Sequence, residues 1–276
     1  MRVLSTDSLP GVVRRALSTA SIGWSSSITF ATLGTAITTL VLVPGLNVLF
    51  TVLLGADLAA NDTVRIGCAT ALIATLSSVA AGIVARVATD RWIGVFEYVC
   101  TARPMDAGYW LGAAAVPALL ASVTGLSNVG IVWLLSLTSS AAGASSGLLV
   151  GTILLMPVAI LGGVCLGIFA AGLGLYLSDP YTGSNVLSIV LPVSAGVIVP
   201  VSTYPTWLAW VCSWVPGSRL VQALDTSGSI ASSTTPNLFA LLAADTALAV
   251  LYAAIGLGLT FLAARRIRAG ARASLL

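Results

Sequence analysis

No charged residue interrupts the chain between Asp106 and Asp179, and the stretches Ile28 to Leu54 and Ile66 to Ala85 are equally free of charge. Runs of this length match the ~20 apolar residues that carry a helix across a ~30 Å hydrocarbon core. They do not alternate over ~10 residues as membrane strands do. Composition agrees: 58% of residues are hydrophobic and 8% charged, with mean hydropathy +1.04. A soluble domain carries roughly 25% charged residues. The fold class expected is an all-α membrane protein, a single transmembrane domain over residues 1–276 with six spanning helices.

Residues 8–24 precede the first span. Leu9, Val12, Val13, Ala16, Leu17 and Ala20 repeat at helical spacing, while Arg14 and Arg15 point elsewhere. Such a helix lies in the membrane interface with its arginines toward headgroups and Trp24 at its end. A cleavable signal peptide is the competing reading, set aside because the next apolar run is far longer than a signal core. The spans are placed at about 28–54, 66–87, 109–137, 148–177, 182–199 and 238–264. Asp106 is expected to cap the third. Thr138 to Gly147 reads as a small-residue turn, and Gly162, Gly163, Gly167, Gly172 and Gly174 would let the fourth span approach its neighbours closely. Asn61-Asp62-Thr63 matches a glycosylation sequon, a three-residue pattern of low specificity.

Arginine placement orients the chain. All twelve basic residues are arginine. Arg2, Arg14 and Arg15, then Arg86, Arg91 and Arg103, then the four of the tail share one side; only Arg65 and Arg219 fall on the other. Both termini and the 86–103 segment are therefore expected in the cytoplasm of a cell-membrane, multi-pass protein. An alanine-rich chain without lysine suggests a bacterium with a GC-rich genome.

Absences narrow the chemistry. Without lysine there is no G-x-x-x-x-G-K-[ST] phosphate loop, and without histidine there is neither a Ser-His pair nor a zinc-protease motif. Gly143-Ala-Ser145-Ser-Gly147 fits G-x-S-x-G but lacks a base, so a turn is the better reading. No metal site is expected, because Cys68, Cys100, Cys165 and Cys212 are far apart and form no C-x-x-C pair. They read as buried small hydrophobes, with a Cys68–Cys212 bridge as the alternative. The scattered charges give no nucleic-acid surface. Asp245, about two turns into the last span, is a candidate for the translocation path together with Arg219, since a carboxylate at depth costs up to ~2.5–3.5 kcal/mol. The competing reading places it shallow, bonded to serines, threonines or Arg219.

Two stretches carry the strongest patterns. In the first, Asp90 can cap a short helix, Trp92 and Phe96 share a face at i, i+4, Arg91 and Glu97 flank them, and Pro104 ends the segment. In the second, Pro200, Pro205 and Pro216 punctuate a stretch whose Trp207, Trp210 and Trp214 repeat at i, i+3, i+7. The piece between the later prolines is too short to span, so it reads as interfacial or re-entrant, followed by a polar loop to Asn237.

These two stretches, in this order, resemble the permease subunits of type-2 ABC exporters. That family's first cytoplasmic loop reads acidic-Arg-acidic-x-Gly-Thr-x-Glu and then a proline; Asp90, Arg91, Gly94, Glu97 and Pro104 match it, with Trp92 and Val95 departing. Ser194-Ala-Gly196, Pro200, Tyr204-Pro205, Trp207-Leu208 and Pro216 are similar to its exit from the fifth span, where two short helices dip back. The resemblance implies that Asp90, Arg91, Trp92, Gly94, Phe96 and Glu97 form a cytoplasmic coupling helix between spans 2 and 3. It would dock in a separate ABC ATPase subunit that holds ATP and Mg, this chain binding no cofactor and having no ATPase site of its own. A second permease, identical or paired, would complete the pore. The function so implied is ATP-driven export of a hydrophobic or amphipathic substrate, a drug, lipid or peptide, as in multidrug or antibiotic efflux. A stand-alone secondary carrier or a non-transporting membrane anchor is the alternative.

Overall fold

The computed structural model describes residues 11–27, 31–57, 62–96, 98, 107–138, 145–228 and 238–273. Among these the chain is helical, with no strand. Helix α1 (Gly11–Ser25) precedes α2 (Leu33–Asp57), α3 (Thr63–Trp92), α4 (Ala107–Thr138) and α5 (Ser145–Gly174). Then follow α6 (Thr182–Ser194), α7 (Thr206–Cys212), α8 (Ser218–Gly228) and α9 (Leu238–Ala273). Five of them, α2, α3, α4, α5 and α9, are long and apolar enough to cross a membrane. This is a multi-pass membrane architecture.

Helix α3 is the axis. Its apolar stretch is 67% buried, against 11% for α2, which leaves α2 facing outward. Helices α2, α4, α5 and α6 all pack on α3, and α9 and α8 pack on α5. Asp62 starts α3 as its N-cap, accepting a hydrogen bond from the Arg65 N–H at 2.9 Å. The glycines of α5 set the crossings. A Cβ on Gly163 would fall 2.5 Å from the Leu76 carbonyl oxygen, and one on Gly172 would fall 2.6 Å from that of Gly256 in α9. Close packing in the absence of a water-driven hydrophobic term depends on such contacts.

Helix α1 packs along α4. Its small residues Ala16, Thr19 and Gly23 face α4, where a Cβ on Gly112 would fall 2.6 Å from the Ala16 carbonyl oxygen. Val12, Val13, Leu17 and Trp24 stay exposed, as expected of a bilayer-facing side.

The element boundaries differ from the sequence expectation in four places, each with a physical cause. The second span continues through Asp90, Arg91 and Trp92 because nothing breaks the helix before Gly94, whose φ of +76° ends it. The expected fifth span stops at Ser194; its 13 residues cover about 20 Å by helical rise, and Gly196 turns the chain at φ +69°. The last helix runs on to Ala273, beyond the expected 264. The expected polar loop after Pro216 contains α8, which buries Leu220, Val221, Ala223 and Leu224 while Arg219, Gln222 and Asp225 lie on its more polar side. Residues 28–30, Asn61, Asp106 and most of the 138–147 turn lie outside the described residues.

Candidate functional site

Polar groups gather at the two ends of α3. At the C-terminal end, Asp90 is 1% exposed and lies inside the helix. The reading of Asp90 as a helix cap is therefore corrected. Its Oδ2 accepts a hydrogen bond from the Tyr109 hydroxyl at 2.9 Å, and its Oδ1 lies 3.3 Å from Arg86 Nη2 one turn earlier. A carboxylate can remain in the last turn of a long apolar helix only with such partners. Arg91 leaves on another side and donates from Nη1 to the carbonyls of Gly174 at 3.0 Å and Leu177 at 3.4 Å. A guanidinium there satisfies orphan carbonyls at the C-terminus of α5 and meets the negative end of its dipole.

Trp92 and Phe96 do not share a face, contrary to the sequence expectation. The Gly94 turn separates them. Phe96 is 2% exposed and packs edge-on to Tyr109, which in turn packs on Trp110. Trp92 is 71% exposed, with only an edge contact to Tyr181, and Ile93 and Val95 are exposed beside it. Gly94 is required by its own backbone; a Cβ there would meet nothing within 4 Å in this chain. Glu97 lies outside the described residues. On the same end, Arg266 sits over the Tyr176 ring at 5.2 Å and Arg265 over Phe261 at 5.2 Å. Arg14 is exposed on α1 and Arg15 half-buried against α4.

At the N-terminal end of α3, Arg65 forms a two-point pair with Asp225 of α8, Nε to Oδ1 at 2.7 Å and Nη2 to Oδ2 at 2.9 Å. Its Nη1 also donates to the Val197 carbonyl at 3.2 Å. This fork ties three chain segments together, the geometry for which arginine is suited and lysine is not. Asp245 is 2% exposed and accepts the Gly217 N–H at 3.0 and 3.2 Å, holding the Pro216-Gly217 turn ahead of α8. The Arg219 side chain donates from Nη1 to the Ala244 carbonyl at 3.4 Å, beside Asp245.

The segment from Pro200 to Pro216 is pinned at both ends. The Tyr204 hydroxyl donates to the Val193 carbonyl at 3.0 Å, and the Tyr252 hydroxyl donates to that of Trp214 at 3.1 Å. Desolvation of its ring raises the Tyr204 phenol above its ordinary pKa, with Cys212 nearby adding to it. Pro200 leads into a short 3-10 turn and Pro205 into α7, while Pro216 is buried. Trp207, Trp210 and Trp214 are exposed on the outside, the last two edge to face at 6.0 Å. Cys68, Cys165 and Cys212 are free and buried, so the Cys68–Cys212 bridge is not formed.

Arg86, Tyr109, Arg65 and Asp225 were not expected among the site residues. Asp225 had a local signal, the apolar i, i+1, i+4 pattern around Leu220 and Leu224. The Tyr109 contact had none, since it depends on how two spans cross.

Among the described residues no cluster of three or more His, Cys, Asp or Glu could hold a metal ion. A cavity of about 310 Å3 opens between α2, α3 and α6, lined by Asn47, Phe50, Thr51, Thr70, Ile73 and Pro192 among others. It is apolar with a few hydroxyl and amide groups. Comparison with protein-family models gives no match, and none of the curated proteins matches the chain.

Proposed function

We propose that this chain is the membrane subunit of an ATP-driven exporter of the type-2 ABC permease kind, working with a separate ATPase and a second permease. The observation that carries the reading is the exposed Trp92-Ile93 tip between residues tied to the bundle. Arg91 binds the end of α5, Phe96 is buried on Tyr109, and Asp90 is locked between Arg86 and Tyr109. A rigid attachment with an apolar tip pointing away from the bundle suits a part that transmits force from a partner. Trp92 would supply buried apolar area at ~25 cal/mol per Å2 on docking, and Glu97 would set register through charge.

The six-span topology has support from the ends of α3. Arg91 meets Gly174 and Arg65 meets Val197, so the chain from 174 to 197 reaches from one end of α3 to the other. In this reading α6 with its flanking residues is the fifth passage, and α7 and α8 fold back before the sixth. Arg86, Arg91, Arg265 and Arg266 lie at one end, in keeping with cytoplasmic termini. The cavity at Asn47 and Phe50 fits an amphipathic or hydrophobic substrate better than a highly charged one. Asp245, bonded to backbone, acts in this reading as the fastener of the re-entrant segment beside the path.

Co-purification of the ATPase from native membranes tests the proposal. Wild-type protein should bring it down, and Trp92→Glu with Ile93→Glu should lose it while keeping the same thermal stability. Equal recovery with both proteins would sink the docking role.

A further inference from the structure

We propose that the cleft between α1, α2, α3 and α4 is a phospholipid site that takes the phosphodiester at Arg86 and an acyl chain along its apolar wall. This requires a chain embedded in a bilayer and does not depend on the exporter reading. The cavity measures about 510 Å3, a volume typical of ligand sites. Leu40, Val43 and Leu120 contribute its apolar wall, and Ser26, Ser27 and Thr89 supply hydroxyls near Arg86.

Three observations converge there. The Arg86 side chain is 15% exposed and only partly used: Nη1 donates to Ser26 Oγ at 3.1 Å, Nη2 lies 3.3 Å from Asp90, and the buried Nε has no acceptor among the described residues. A guanidinium carries five N–H donors, and those that neither Ser26 nor Asp90 takes leave this lining side chain able to donate to an anionic oxygen in the cleft. Two lining helices also carry a proline at this place. A π-turn over Thr38–Leu42 precedes Pro44 in α2, and α4 continues through Pro117. These prolines withhold the N–H that would bond the Leu40 and Ala113 carbonyls, and all four residues line the cavity. Such π-turns recur at functional sites.

The third observation is depth. Arg86 stands about a turn and a half inside the Trp92 end of α3, alongside α1, whose exposed Val12, Leu17 and Trp24 mark the interfacial layer. With α1 at the interface of a bilayer, the guanidinium falls at headgroup level with an apolar wall leading from it. Asp90, itself bonded by Tyr109, pairs with the arginine one turn along the helix. A phosphodiester offers two anionic oxygens to the guanidinium, and its acyl chain covers the wall that free phosphate would leave bare.

The test is native mass spectrometry of the full chain in mild detergent after a fixed delipidation wash. Phosphatidylglycerol, diacylglycerol with the same acyl chains, and inorganic phosphate are offered separately. Wild-type protein should retain phosphatidylglycerol and shed diacylglycerol. Arg86→Gln should lower that retention about tenfold, the equivalent of one charged hydrogen bond. Because Arg86 also partners Asp90, Leu120→Trp provides the independent variant: it fills the apolar wall, leaves the arginine alone, and should lower retention as well. Equal retention of diacylglycerol would contradict the phosphate contact. Undiminished retention in Leu120→Trp would remove the lipid from this cleft, and phosphate binding as tightly as the lipid would make it a free-anion site.

Discussion

Asp90 and Tyr109, 19 residues apart, meet through a 2.9 Å hydrogen bond in the buried layer between α3 and α4. The bond bridges the charged end of α3 to the start of the next span. It also fixes the ring that carries Phe96. Tyr109→Phe keeps the ring packing and removes the donor, leaving Asp90 with Arg86 alone. Stability should fall by about 1–3 kcal/mol, the usual cost of an unsatisfied buried polar group. A thermal unfolding midpoint equal to that of the wild type would show that Asp90 does not rely on this bond.

Arg65 and Asp225 should behave as a geometric pair and not as two charges. Arg65→Lys keeps the charge but cannot make the fork or reach the Val197 carbonyl at the same time. It should cost about 1–2 kcal/mol, and combining it with Asp225→Asn should cost less than the sum of the two. Simple additivity in a double-mutant cycle would place the two residues in separate roles.

Asp245 fastens a turn that only glycine fits well. Gly217 has φ +100°, and its N–H has the Asp245 carboxylate as acceptor. Asp245→Asn retains an acceptor oxygen and should be mild. Asp245→Leu strands the N–H at a cost of about 1–3 kcal/mol, and Gly217→Ala should cost a similar amount, about 1–3 kcal/mol, through backbone strain. Unfolding in a fixed detergent ranks the three. If Asn and Leu are equally damaging, the carboxylate's charge matters for something other than this turn.

The apolar runs announced the helical membrane class and the approximate positions of the long helices, because burial in lipid leaves a continuous signal in sequence. The charged segment is visible in the sequence, but its geometry is not. Asp90 and Arg91 have the pattern of a helix start, since a charge pair normally marks the end of an apolar span. Here Arg86, Tyr109 and the α5 carbonyls absorb those charges, and the helix continues. Partners of that kind come from other helices, so no local pattern discloses them. The same holds for Arg65 with Asp225 and for Asp245 with Gly217. Helix α8 was hidden for another reason: eleven residues with a narrow apolar face resemble a polar loop.

The exporter reading turns on whether the Trp92 tip works while the anchors beneath it hold. The decisive measurement is substrate-stimulated ATP hydrolysis by the complex in lipid nanodiscs, comparing Trp92→Ala with wild type alongside unfolding midpoints. Trp92 is exposed, so its loss should leave the midpoint unchanged. Stimulated hydrolysis should nevertheless fall at least tenfold, about 1.4 kcal/mol of coupling. Full stimulation in Trp92→Ala, at unchanged stability, would contradict the account and leave the segment as the solvated end of a membrane helix.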